Sequence, residues 1–104
     1  MVKQIANQAE LDKVLKEHPG LVVIDFFATW CGPCKEAAPL YAQLSEKHAN
    51  VCFLKIDVDQ FSEATDTYKV SAMPTFVFLK GGNVVETVVG ANISKVEAAI
   101  TKHA

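Results

Sequence analysis

The sequence predicts an α/β domain, a mixed β-sheet with helices packed on both of its faces. Three observations carry that expectation. Strand-like and helix-like patterns alternate along the 104 residues. Two apolar runs, Leu21–Ala28 and Val51–Asp57, read as strands buried on both faces. Lys80-Gly81-Gly82-Asn83 lies between two β-rich runs, which is a hairpin signal. The predicted order is β-α-β-α-β-α-β-β-α.

Val2–Ile5 is a short strand candidate. Asn7 is placed to cap a helix, with Glu10 as its reciprocal partner three positions on. Leu11, Val14 and Leu15 then form one apolar stripe, and Pro19-Gly20 ends the helix. After the Leu21–Ala28 strand, a helix is expected from about Pro33 to Ala49. Ala37, Tyr41, Leu44 and His48 share one of its sides, and Pro39 within it removes a backbone donor and should kink it. Val51–Asp57 is the next strand, and Phe61, Ala64 and Tyr68 suggest a short helix. Thr75–Leu79 and Val84–Val89 form the hairpin. The last helix is expected to use Ser94 as N-cap with Glu97 at its third position, and Val96, Ala99 and Ile100 as its buried face.

Half of the residues are hydrophobic and 21% are charged, and the formal net charge is −2. Residues 1–104 are therefore expected to form one domain large enough for a real core. No Lys/Arg cluster favours nucleic acid or an anionic membrane as partner. The longest apolar run contains Asp25 and falls far short of the ~20 residues of a membrane span. The N-terminus lacks the apolar stretch of a secretory signal, and three cysteines do not make the even, widely spaced set of a disulfide scaffold. A cytoplasmic, reducing location is expected.

The chemistry lies in Trp30-Cys31-Gly32-Pro33-Cys34-Lys35, which follows a buried strand and opens a helix. Cysteines at i and i+3 of a first helical turn can close a disulfide with little backbone movement. Gly32 permits the turn, and Pro33 suits an early helical position, where its missing N–H costs nothing. The free N–H groups and the positive end of the helix dipole face the first sulfur and favour its thiolate. Cys31 is then the nucleophile toward a substrate disulfide, and Cys34, expected to be the more buried thiol, resolves the mixed disulfide. A structural disulfide and a zinc site are the alternatives. The first suits an oxidising compartment and a longer loop. The second needs more ligands than the sequence offers nearby, since His18, His48 and His103 each fall at a predicted helix C-terminus.

Phe26-Phe27-Ala28-Thr29-Trp30-Cys31-Gly32-Pro33-Cys34-Lys35 with Asp25 upstream resembles the thioredoxin family. The likeness extends through Pro39, Asp57-Val58-Asp59, Met73-Pro74-Thr75-Phe76, the Gly-Gly hairpin and Gly90-Ala91, over nearly the whole chain. It implies a thioredoxin fold, with a five-stranded mixed sheet and four helices, and a general protein disulfide reductase. The resemblance implies no bound cofactor or metal. Electrons would come ultimately from NADPH through a separate thioredoxin reductase, or from a small dithiol. Acceptors would be protein disulfides such as those of peroxiredoxin, ribonucleotide reductase and methionine sulfoxide reductase, and the chain would work as a monomer.

The resemblance also implies residue roles. Pro74 would be a cis-proline facing the dithiol and blocking metal capture, and the Met73 backbone would pair with substrate in strand fashion. Trp30, Gly32, Pro33, Ala72, Met73, Gly90 and Ala91 would form an apolar docking surface around Cys31. Trp30, beside the turn and outside the strand, is expected to be partly exposed, with Asp57 as the acceptor for its indole N–H. Asp25 interrupts an apolar strand, where lost solvation raises a carboxyl pKa toward neutrality. By likeness it is the proton acceptor for Cys34, through water.

There are departures from the family pattern. Some bacterial members carry a lysine near the buried aspartate at the position of Phe53. Lys55 lies two residues further on the same face, and it is left outside the predicted site. Cys52 is expected to be an inert packing cysteine. Ala72 stands where many animal members carry an extra cysteine. Two rival functions remain. An oxidase or isomerase would show a less reducing Cys31–Cys34 couple, against which the Gly32-Pro33 pair argues. A pure binding module would keep its biological activity with both Cys31 and Cys34 changed to Ser.

Overall fold

A computed structural model describes residues 1–104. The elements run β1 (Val2–Gln4), α1 (Gln8–Glu17), β2 (Leu21–Phe27), α2 (Gly32–Lys47), β3 (Cys52–Asp57), α3 (Glu63–Thr67), β4 (Thr75–Lys80), β5 (Asn83–Val89) and α4 (Ile93–His103). They form one five-stranded sheet in the order β1-β3-β2-β4-β5. β1 and β2 flank β3 in parallel, and β2-β4 and β4-β5 are antiparallel. The mixed sheet and the predicted element order are therefore both present.

The pattern of side chains along β2 explains the layering. Successive strand residues point to opposite faces. Leu21 and Val23 join Phe53, Phe76 and Phe78 against Tyr41 and Leu44 of α2 and Val96 and Ile100 of α4. Val22, Ile24 and Phe26 join Leu54, Ile56 and Val77 against Leu11 and Val14 of α1 and Ala64 of α3. The two clusters hold 13 and 12 buried residues, so both faces are sealed to a similar degree, as continuous rather than alternating apolar runs demand. Tyr41 brings its hydroxyl to the carbonyls of Leu54 (2.8 Å) and Val23 (3.1 Å), which satisfies a polar atom at the core of the larger cluster.

Local signals account for most boundaries. Asn7 caps α1, its Oδ1 accepting from the Glu10 N–H at 2.9 Å. Glu10 reaches back one residue further than a capping box requires, to the Ala6 N–H at 2.7 Å. Gly81 and Gly82 have φ of 60° and 81°, the left-handed pair that a two-residue hairpin turn needs. α2 continues through Pro39.

The start of α4 differs from expectation. Asn92, not Ser94, is the N-cap: its Oδ1 accepts from the Lys95 N–H at 3.2 Å and from the Ser94 hydroxyl at 2.7 Å. An asparagine two residues upstream satisfies the same orphan donors and begins the helix earlier. Glu97 is released from capping and pairs across helices with Lys47 (2.7 Å) and His48 (3.0 Å). His18 and His48 occupy the C-caps of α1 and α2, and His103 is the last residue of α4. No helix is long and apolar enough to cross a membrane.

Candidate active site

The site sits where β2 leaves the sheet and α2 begins. Cys31 is the N-cap of α2, with extended backbone at φ −90° and ψ 111°. Its Sγ accepts from the Cys34 N–H at 3.2 Å, the position a Ser or Asp oxygen takes at an ordinary N-cap. The Lys35 N–H bonds the Cys31 carbonyl at 3.3 Å and closes the first helical turn. Gly32 and Pro33 occupy the first two helical positions, so a residue without an N–H stands where no partner exists for one. The Cα atoms of Cys31 and Cys34 lie 5.3 Å apart and the sulfurs are paired as a disulfide.

The two sulfurs differ less in burial than expected: Cys31 is 6% exposed and Cys34 is 4% exposed. They differ in what they face. Cys31 Sγ lies 3.7 Å from the Met73 carbonyl oxygen, beside the cis peptide bond. Cys34 instead lines a crevice of about 260 Å³, together with Asp25, Phe27, Thr29, Lys35 and Lys55 among others. Cys34 therefore opens on the acid, and Cys31 faces the Met73 backbone.

Of the residues expected to form a docking surface, Met73 packs directly on Cys31. Met73–Pro74 is a cis peptide bond, with Pro74 buried and Met73 packed against the Ala28, Cys31 and Cys34 cluster. The Gly90 N–H donates to the Pro74 carbonyl at 2.9 Å and brings the Gly90-Ala91 turn beside the cis-proline. Gly32, Pro33, Ala72 and Ala91 are exposed. Trp30 is 67% exposed, as its place outside the strand implies.

The partner of Trp30 is a correction. Its Nε1–H donates to Asp59 Oδ2 at 3.0 Å, not to Asp57. Asp57 is the last residue of β3, only 7% exposed, and its Oδ1 turns back to accept from the Asp59 N–H at 2.9 Å. An aspartate at the end of a strand bonds its own chain two residues on, and the next carboxylate is the one left free to reach out. The Asp57-Val58-Asp59 spacing carried that signal.

Asp25 is 4% exposed, and its Oδ1 has no hydrogen-bond partner. Burial raises its carboxyl from 3.8 to about 7, against the pull of the Lys55 ammonium. Lys55 is the parallel-sheet register partner of Asp25 and lines the same crevice. Lys55, outside the predicted site, is placed in this crevice by cross-strand register, without an ion pair to Asp25. Its Nζ lies 5.6 Å from the centre of the Phe27 ring, a cation–π distance that keeps the ammonium at this end of the strand. The free cysteine, Cys52, is half-buried rather than sealed in the strand, and burial pushes its thiol above 9.0. No three His, Cys, Asp or Glu side chains are grouped to hold a metal ion.

Comparison with known proteins agrees with this geometry. The family model described as Thioredoxin matches residues 2–102. Thioredoxin 1 of Plasmodium falciparum is 44% identical over 104 residues, which span 100% of this chain and 99% of that protein. Thioredoxin-2 of Saccharomyces cerevisiae is 45% identical over 103 residues, 99% of each. The X-ray structure of Fasciola hepatica thioredoxin superposes with a TM-score of 0.95 at 46% identity, covering 98% of this chain and 99% of that one. A helix-capping dithiol, a cis-proline beside it and a buried acid behind it, in a sheet of this order, match what those similarities indicate: the chain belongs to the thioredoxin family.

Proposed function

We propose that the chain is a general protein disulfide reductase in which Cys31 attacks, Cys34 resolves and Asp25 takes the resolving proton. Members of this family are oxidoreductases that carry out thiol–disulfide exchange through a redox-active dithiol, without a bound cofactor. The observation that carries the assignment of roles is the asymmetry of the two sulfurs, one receiving a helix N–H beside the Met73 backbone and one opening on Asp25.

In the first step the Cys31 thiolate attacks one sulfur of a substrate disulfide. A Cys31–substrate bond forms, the substrate S–S bond breaks, and its other sulfur leaves as a thiolate. In the second step Cys34 gives its proton toward Asp25, through water, and attacks the Cys31 sulfur. The Cys31–Cys34 bond forms and the second substrate thiolate leaves. Two electrons have then passed to the substrate, and the chain holds the disulfide. An acid that changes charge near pH 7 can both accept that proton and release it to solvent.

The docking roles follow from position. Trp30, Gly32, Pro33, Ala72, Met73, Gly90 and Ala91 receive an apolar segment around the substrate disulfide, the Met73 backbone pairs with it as an added strand, and Asp57 supports the turn beneath Trp30. A separate reductase supplied by NADPH, or a small dithiol, regenerates the dithiol. Peroxiredoxin, ribonucleotide reductase and methionine sulfoxide reductase disulfides are the acceptors. A solved structure 36% identical to this chain, concerned with the thiol resolving mechanism in yeast mitochondrial 1-Cys peroxiredoxin via glutathione/thioredoxin systems, supports the first of these. The protein works as a monomer in the cytoplasm, where electron transport through a dithiol is sustained by a reducing pool.

A Cys34→Ser bait in extract of the native cell tests the assignment. The bait is expected to accumulate mixed disulfides through Cys31 that a reductant releases. Recovery of none would contradict it.

A further inference from the structure

We infer that Tyr41 is a positioning residue for the resolving step: its hydroxyl pins α2 to two strand carbonyls behind Asp25 and so holds Cys34 over the acid. The inference rests on the reading of Asp25 as proton acceptor for Cys34 and adds a residue which that reading does not contain. Cys34 and Tyr41 stand about two helical turns apart on the buried side of α2. Pro39 lies between them and has no N–H to give the Lys35 carbonyl, so the ladder that would fix one turn on the next is interrupted. The segment carrying Cys34 then depends on a fixed point beyond the interruption. Tyr41, 2% exposed, supplies it: its one hydroxyl proton is shared between the carbonyls of Leu54 at 2.8 Å and Val23 at 3.1 Å.

Strand register places those carbonyls at the acid. Val23 and Asp25 share one face of β2, and Phe53 and Lys55 share the same face of β3. The Leu54 carbonyl belongs to the peptide unit that leads into Lys55, and the Val23 carbonyl to the unit that leads into Ile24, just before Asp25. The Tyr41 ring rests on Phe53 and Phe76, with centroids 5.3 and 5.5 Å away, and Phe76 is the register partner of Asp25 on β4. Tyr41 thus stands behind the acid on the α2 face of the sheet, while Cys34, Lys35 and Lys55 line the crevice in front of it. Burial first and the Asp25 charge second keep the Tyr41 phenol protonated. Because that proton is committed to main-chain oxygens, none is given to Asp25, whose Oδ1 stays without a partner and open to the proton of Cys34.

The test mixes reduced protein rapidly with insulin, quenches with acid, and counts the Cys31–insulin mixed disulfide over time. It compares the parent with Tyr41→Phe, Asp25→Asn and the double variant. At pH 7, Tyr41→Phe is expected to form the adduct within about twofold of the parental rate, because the helix terminus at Cys31 is untouched, and to resolve it about 2- to 10-fold more slowly. Toward pH 9.5, where Cys34 ionises without the acid, the deficit should narrow. In the Asp25→Asn background, Tyr41→Phe should slow resolution no further. Leu11→Val, in the core on the opposite face of the sheet, controls for lost stability and should leave both rates parental. The inference is overturned, while Asp25 keeps its role, by any of four results: parental resolution in Tyr41→Phe, a deficit unchanged at pH 9.5, a deficit fully additive with that of Asp25→Asn, or equal slowing in Leu11→Val. An Asp25→Asn protein that resolves like the parent at pH 7 would instead overturn the assignment of Asp25 itself.

Discussion

Cys31 and Cys52 are the same side chain in two regions of one small protein, and their surroundings send them to opposite chemistry. Cys31 caps α2, where an N–H reaches its sulfur and the dipole of a 16-residue helix points at it. Cys52 starts β3, half-buried beside Phe53 and Leu54 and lining a pocket with Ser45 and Glu46 from the last turn of α2, the negative end of that helix, and burial pushes its thiol upward despite the Lys3 ammonium. A strand offers little net dipole to a charge. The lesson is that the end of a secondary-structure element, more than exposure, decides whether a cysteine reacts: Cys31 is the more buried of the two.

The largest effects should come from swapping sulfur for oxygen in the two regions. Cys31→Ser should abolish insulin-disulfide reduction, whereas Cys52→Ser should keep it within about twofold. In the reduced parent, iodoacetamide near neutral pH should label Cys31 and leave Cys52 unmodified. Labelling of Cys52 at a comparable rate would erase the contrast.

Asp25 comes next. Its carboxyl is raised from 3.8 to about 7 by burial, so the folded protein binds a proton that the unfolded chain has already lost between those values. Stability contributed by this group is full below about pH 4 and is lost as pH rises through about 7. Asp25→Asn should therefore resist denaturant better than the parent at pH 8, by up to roughly 4 kcal/mol, with the gap closing toward pH 4. The same variant should turn over slowly near neutral pH and recover at higher pH, where Cys34 can ionise without help. A pH-independent deficit would remove Asp25 from proton transfer.

Lys55 should give a smaller change. Its ammonium draws the Asp25 carboxyl downward, so Lys55→Met should move the acid limb of the pH–rate profile upward, by about one pH unit at most. An unmoved limb would mean that the register pairing of Asp25 and Lys55 carries no electrostatic consequence.

Much of this was readable in the residues because the determinants are local. The continuous apolar runs foretold a doubly covered sheet, Gly81-Gly82 foretold the hairpin, and the cysteine spacing together with Pro33 foretold a helix opening at the dithiol. What eluded reading was decided by geometry across the chain. The choice of Asp59 over Asp57 depended on where a strand ended, and the sharing of one crevice by Lys55 and Asp25 depended on the register of two strands thirty residues apart. The N-cap of α4 fell to Asn92 because two good capping residues lay two positions apart and competed. Cys52 proved half-exposed because the first residue of a strand lies at the margin of the helices that cover it.

The most direct test of the whole account is the ionisation of Cys31 in the reduced protein, followed by thiolate absorbance with Cys52 replaced by Ser. The helix terminus predicts a thiolate forming clearly below the ~8.5 of a free cysteine, inside the range of about 3.5–7.5 known for such positions, thioredoxins among them. A Cys31 that ionises at or above the free value would contradict it.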